Sequence, residues 1–136
     1  YCADFFARLA DVVHQHGKYL AVHACGKNRR LLPLVGASHV DCLEGITPPP
    51  FGDVLLPQAR ELAGYANFTV NGGIELTMQE LREDAEARIH DYTRALFAGM
   101  GDKRHFIFAS SCNTSPLTPW SNLVHFRDAA REYGAL

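Results

Sequence analysis

Lys18-Tyr-Leu-Ala-Val-His-Ala-Cys25 is the stretch on which the fold turns. Leu20, Val22 and Ala24 alternate with Tyr19, Ala21, His23 and Cys25. A period of two predicts a strand with one face suited to packing against helices and another ending in reactive side chains. Before it, residues 3–16 place Phe5, Phe6, Leu9, Val12 and Val13 at helical spacing, and Gly17 stops that helix. After it, residues 28–36 read as a short helix with Leu31, Leu32 and Leu34 around Pro33. His39-Val-Asp-Cys-Leu43 is a second strand, and Pro48, Pro49 and Pro50 impose a loop. Residues 53–63 predict a helix, with Asp53 as N-cap and Pro57 near the first turn. Asn67-Phe-Thr-Val70 is a third strand, closed by a turn at Asn71-Gly72-Gly73. The longest expected helix covers residues 78–98. Thr77 and Glu80 would form its capping box, and Leu76 would pack on Leu81 as a staple. Arg104-His-Phe-Ile-Phe-Ala109 is a fourth strand, and Thr118-Pro119 opens a last helix ending at Gly134.

Strands separated by helices imply parallel pairing and an α/β fold. A doubly wound open sheet and a segment of a (β/α)8 barrel both satisfy the order. A whole barrel needs eight strands and about 250 residues; four strands in 136 residues make half of one. The composition, 47% apolar and 21% charged, is that of a folded soluble domain. Thirteen basic against 15 acidic residues leave a net charge of −2, which argues against nucleic acid or an anionic membrane as the main partner. No apolar run has the length of a membrane span, and the N-terminus lacks the order of a signal peptide. The chain begins Tyr-Cys-Ala without Met, so a start inside a longer protein is expected. With these features, Cys2, Cys25, Cys42 and Cys112 point to a reducing, cytoplasmic compartment with free or metal-bound thiols.

The reactive residues gather at expected strand ends, the active face of parallel α/β folds. His23 and Cys25 share a face, Glu44 follows the second strand, and Cys112 follows the fourth. Imidazole and thiolate are typical zinc ligands. The competing structural reading is an inert core cysteine and a hydrogen-bonded histidine. Cys42 reads as core, and Cys2 as a chain-end residue. His14, His16, His90 and His125 fall in helices and read as solvated, as does the charge alternation over residues 82–88. Gly72-Gly73 could be a phosphate-binding turn but, lacking a GxGxxG pattern, reads first as a plain tight turn. Asn71, at a strand end, is a candidate for contact with substrate or cofactor.

Val22-His-Ala-Cys-Gly26, Asn71-Gly-Gly-Ile74, Phe108-Ala-Ser-Ser-Cys112 through Trp120, and Arg131-Glu-Tyr-Gly134 together resemble the C-terminal half of the uroporphyrinogen decarboxylase superfamily. The resemblance covers nearly the whole chain. Within the superfamily it is closer to the zinc-dependent methyltransferases that move a methyl group between a corrinoid and a thiol of the coenzyme M type. Their H-x-C…C motif is reproduced in order by His23, Cys25 and Cys112. Cobalamin-independent methionine synthases, with a related barrel, use His, Cys, Glu and Cys, and Glu44 falls where that glutamate is expected.

The resemblance implies zinc held by His23, Cys25 and Cys112, with Glu44 as a replaceable, catalytic fourth ligand. It also implies a thiol substrate and a methylcobalamin-type corrinoid, free or on a corrinoid protein. Zinc keeps a coordinated thiol as its nucleophilic thiolate. One alternative is uroporphyrinogen decarboxylation in porphyrin (heme) biosynthesis, which uses no metal. Its pocket must balance several carboxylates, and Arg29 and Arg30 are the only nearby basic pair. Another alternative is a non-catalytic half-barrel fragment. Four strands cannot close a barrel. A second half-barrel is therefore expected, in cis or by homodimerisation, to cover an inner face made apolar by Tyr19, Ala21 and the Phe106 and Phe108 pair.

Overall fold

The computed structural model describes residues 2–76 and 83–134. Helices and strands alternate along them: α1 (Cys2–Gln15), β1 (Ala21–His23), α2 (Leu32–Ala37), β2 (Cys42–Ile46), α3 (Leu56–Ala63), β3 (Thr69–Ile74), α4 (Ala85–Met100), β4 (Phe106–Ser110) and α5 (Trp120–Tyr133). The strands form one all-parallel sheet in the order β1-β2-β3-β4. Sequential order is the order of a (β/α)8 barrel; a doubly wound sheet reverses part-way. The sheet stays open, so the fold is a partial barrel.

Register fixes what each face carries. Val22, Leu43, Val70 and Phe106 lie in one row across the sheet, and His23, Glu44, Asn71 and Ile107 in the next. The first row points to the helices. There Leu43 and Val70 join Leu32, Ile46, Leu56 and Phe68 in the core, all fully or almost fully buried. Each such side chain contributes about 1.5–3 kcal/mol through burial. The second row lies on the open inner face.

That parity corrects one expectation. Phe106 and Phe108 are on the helix side, with ring centroids 5.3 and 5.2 Å from Phe97, and Phe108 lies 4.6 Å from Phe126. Ile107 takes the inner face instead, so that face is more polar than expected. Tyr19, 86% exposed, lies outside β1.

Element boundaries also move. The first strand is shorter than expected: at Leu20 the N–H donates to Asp41 Oδ2 at 2.7 Å, while the carbonyl still accepts from the Cys42 N–H at 3.2 Å. The second strand starts later, since His39 adopts φ 53° and stacks on Tyr65. The third strand runs through the expected Asn71-Gly72-Gly73 turn. Gly72 and Gly73 are strand residues at φ 149° and 143°; a Cβ there would lie 2.4 Å from the Ile46 carbonyl and 2.7 Å from the Phe108 ring. Close approach, not turning, requires these glycines.

Asp53 caps no helix: Leu55 holds the N-cap position of α3, and Asp53 accepts the Arg29 backbone N–H at 3.0 Å. Pro57 does sit at the start of α3. The longest helix is Ala85–Met100, and the expected capping box and staple at Thr77, Glu80 and Leu81 lie outside the described residues. Pro119 is the N-cap residue of α5, one position later than the Thr118-Pro119 pattern implied. Among the described residues, no helix is long and apolar enough to cross a membrane.

Three histidines expected in solvent are engaged. His14 Nε2 lies 2.7 Å from Asp41 Oδ2, tying α1 to the segment entering β2. His90 and His125, on α4 and α5, face Glu132 at 3.3 Å and Glu86 at 3.8 Å. Neighbouring helices cover these rings, which the sequence position of a histidine cannot reveal. His16 stays on the surface, bonded to the Val12 carbonyl.

Candidate functional site

The site is assembled at the C-terminal ends of the strands. β1 delivers His23, and alternation continues past its end to Cys25, which is exposed on the same side. Asn28, 2% exposed, shapes the turn that follows: its side-chain amide donates to the Ala24 carbonyl at 2.9 Å. β2 delivers Glu44 and then breaks register at Gly45, between Glu44 and Ile46. Gly45 has φ 88°, and a Cβ there would lie 3.0 Å from the His23 ring and 3.2 Å from the Ser111 carbonyl. The bare glycine lets the loop after β4 cross above β2. The Ser111 N–H donates to the Ile74 carbonyl at 2.9 Å, and the Ser110 hydroxyl to the Cys112 carbonyl at 2.7 Å. These bonds hold the loop where Cys112 reaches the opposite edge of the sheet.

Cys25 Sγ and Cys112 Sγ are 3.3 Å apart although 87 positions separate them. His23 Nε2 lies 2.8 Å from Cys25 Sγ, and His23 Nδ1 faces Glu44 Oε2 across 3.5 Å. A carboxylate beside Nδ1 favours the proton there, leaving the Nε2 lone pair toward the sulfur. The structure thus brings together His23, Cys25, Glu44 and Cys112. The Cys25 thiol is pushed above its ordinary value, first by the hydrogen bond with Cys112, then by burial and by the negative charges of Cys112, Glu75 and Glu44. These causes lower the thiolate fraction at Cys25, and a bound cation would raise it.

An imidazole, two thiols and a carboxylate form a donor set that fits zinc. Their spacing is tighter than a zinc shell: bonds of about 2.0–2.3 Å at tetrahedral angles keep ligand atoms roughly 3.4–3.8 Å apart. Here His23 hydrogen-bonds to Cys25 and Cys25 to Cys112, while Glu44 lies on the Nδ1 side of the ring. Among the described residues, no group of three or more His, Cys, Asp or Glu is spaced to hold a metal as it stands. The donor types fit zinc, but His23, Cys25 and Cys112 must draw apart, and Glu44 must leave Nδ1, before they could share an ion.

Two cavities flank the cluster and share Cys112 and Asn113. One, of about 350 Å³, is lined by Cys25, Thr47, Phe51, Glu75 and Asn113; the other, of about 400 Å³, by His23, Glu44, Gly45, Ser110 and Ser111. Asn71 lines neither. It sits in the row of Glu44, with its Oδ1 buried and without a hydrogen-bond partner. Cys42, read from the sequence as core, instead lies two residues before Glu44 on the inner face of β2; it is half-buried, and burial pushes its thiol up to about 11.

Glu75 was not legible. It is 6% exposed and directly follows β3. Ending the strand at Val70 concealed it; running the strand through the glycines would have placed it at the active end. Arg29 lines neither cavity; its guanidinium donates to the Asp53 carbonyl at 3.0 and 3.2 Å.

The sequence model of the uroporphyrinogen decarboxylase (URO-D) family matches residues 1–133. The chain belongs to the URO-D family. No individual curated protein matches it. Family membership points to a decarboxylase or a related enzyme of that superfamily. For a URO-D chain with a partial (β/α) barrel, the strand-end position of the cluster is the expected place for chemistry.

Proposed function

We propose that this URO-D family chain carries a zinc–thiolate centre for methyl transfer between a corrinoid and a thiol. His23, Cys25 and Cys112 would hold the metal, and Glu44 would be the ligand that substrate displaces. The supporting observation is the 3.3 Å approach of Cys25 and Cys112 from the two edges of the sheet, with His23 beside them. When bound, zinc holds the substrate thiol as thiolate, and the corrinoid carries the methyl group. The chain's own residues do the rest. Glu44 faces Nδ1 of the His23 ring, the side away from Nε2 and the metal position; there it would orient the ring when displaced, and it would have to swing off Nδ1 to act as the fourth ligand. Phe51 and Thr47 border the cavity beside Cys25, where an incoming thiol would enter. Asn71 is proposed to contact substrate or corrinoid once its unpaired Oδ1 is uncovered. The thiols are free, which suits a reducing, cytoplasmic setting. Partners would be a corrinoid protein or free methylcobamide, and a second half-barrel covering the open face.

Uroporphyrinogen decarboxylation is less well supported. The charged side chains lining the two cavities include the carboxylates Glu44 and Glu75, and Arg29 is committed to Asp53. A substrate bearing several carboxylates calls for cations there.

Elemental analysis of the reduced, full-length protein tests the proposal. The expected result is about one zinc per chain, lost in Cys25→Ser and in Cys112→Ser. Reduced protein that takes up no zinc would overturn it.

A further inference from the structure

We propose that Cys25 and Cys112 are also a modification site: a dithiol that low-molecular-weight disulfides oxidise to an intramolecular disulfide. This goes beyond methyl transfer and stands on thiol geometry alone. The sulfurs, 3.3 Å apart, need to approach by a little over an ångström to reach the S–S bond length of about 2.05 Å. Cys112 lies in the loop between β4 and α5, outside the sheet ladder, so a loop makes that movement rather than a strand. Among the described residues no other pair of cysteine sulfurs is in hydrogen-bond contact.

Exposure assigns the order of events. Cys25 is exposed and Cys112 half-buried. Cys25 Sγ attacks one sulfur of the small disulfide, forming a mixed disulfide and releasing one small thiol, which takes the Cys25 proton. Cys112 Sγ then attacks Cys25 Sγ, breaking the mixed disulfide and releasing the second small thiol with the Cys112 proton. The two cysteines are oxidised and the small disulfide is reduced to two thiols, so atoms and electrons balance. The second step is intramolecular and already in contact, so it outruns release of the adduct. On the zinc reading, the product has lost both sulfur donors, so oxidation and metal binding exclude each other.

The test is peptide mapping of the full-length, metal-free protein after exposure to glutathione disulfide. The expected product is a peptide joining Cys25 to Cys112, reversed by dithiothreitol. Cys112→Ser should stop with glutathione retained on Cys25, while Cys42→Ser should cross-link as the parent does. Stable glutathione on Cys25 in the parent with Cys112 free would overturn the inference, as would a cross-link through Cys2 or Cys42. Preloaded zinc should suppress the cross-link. A protein that takes up no zinc but still cross-links would break the methyl-transfer reading and leave the dithiol standing.

Discussion

The two faces of the sheet are built from the same strands and obey different rules. On the helix side, Leu43 and Val70 are fully buried and their row continues into Phe106. On the inner side, one residue along, the row is His23, Glu44, Asn71 and Ile107. Strand pleating divides the work: one set of alternate residues holds the fold and the other presents chemistry. Substitutions should therefore separate cleanly, and the sharpest test is one that refuses to.

The largest effect belongs to the buried side. Phe68, just before β3, is fully buried in the main core cluster. Phe68→Ala should cost about 3–5 kcal/mol, from lost transfer free energy and the cavity left behind. Urea denaturation measures it. A loss below about 1 kcal/mol would show that the core depends on something other than this packing.

Gly45 is where the two faces meet. Gly45→Ala should cost about 1–3 kcal/mol through its φ of 88°. The new methyl would also press on His23 and Ser111, so Cys112 should withdraw from Cys25 and metal uptake should fall more than stability does. Parallel urea and zinc titrations separate the two losses. Unchanged zinc uptake would mean that the loop does not depend on Gly45 for its path.

How much of this division was legible depended on pattern length. The alternation around β1 was readable, and with it the shared face of His23 and Cys25. Glu44 was readable because it directly follows the expected strand at 39–43, although the strand in fact runs on through it to Ile46. The third strand was misjudged because Asn71-Gly72-Gly73 has turn chemistry, and nothing in one sequence says that the Ile46 carbonyl or the Phe108 ring lies where a Cβ would go. Glu75 was lost with it. The contact between Cys25 and Cys112 is a tertiary fact over 87 positions, which resemblance could anticipate and spacing could not. His14 and Asp41 show the same limit: their 2.7 Å contact joins a helix to a distant strand entrance.

Tyr92 reaches from α4 to the sheet, its hydroxyl donating to the Gly73 carbonyl at 2.6 Å. Burial pushes its phenol up to about 12. A raised folded value means that the neutral form is favoured on folding. This stability is present in full below the unfolded value of about 10 and is lost as pH rises through about 12. Tyr92→Phe should cost about 0.5–1.5 kcal/mol at neutral pH and flatten the alkaline fall. Urea midpoints at neutral and alkaline pH check both parts; an alkaline fall as steep in Tyr92→Phe as in the parent would assign it to other groups.

The smallest effect on stability is expected where the effect on chemistry should be most specific. Glu44 is exposed on the inner face, and its 3.5 Å contact with His23 lies in solvent, where such pairs contribute about 0–1 kcal/mol. Glu44→Gln keeps the size and removes the charge. Stability should therefore move by no more than about 0.5 kcal/mol. His23, Cys25 and Cys112 would still offer three ligands, so zinc should remain. The amide is a weaker ligand than the carboxylate and less able to hold the His23 proton on Nδ1. Thiol entry at the metal should then change in rate while metal content does not. Stopped-flow spectroscopy of the cobalt-substituted protein with a simple thiol reads that rate. Loss of metal in Glu44→Gln would make the carboxylate a structural ligand. An unchanged exchange rate would leave Glu44 with no part in the reaction and set the inner face apart only by His23, Cys25 and Cys112.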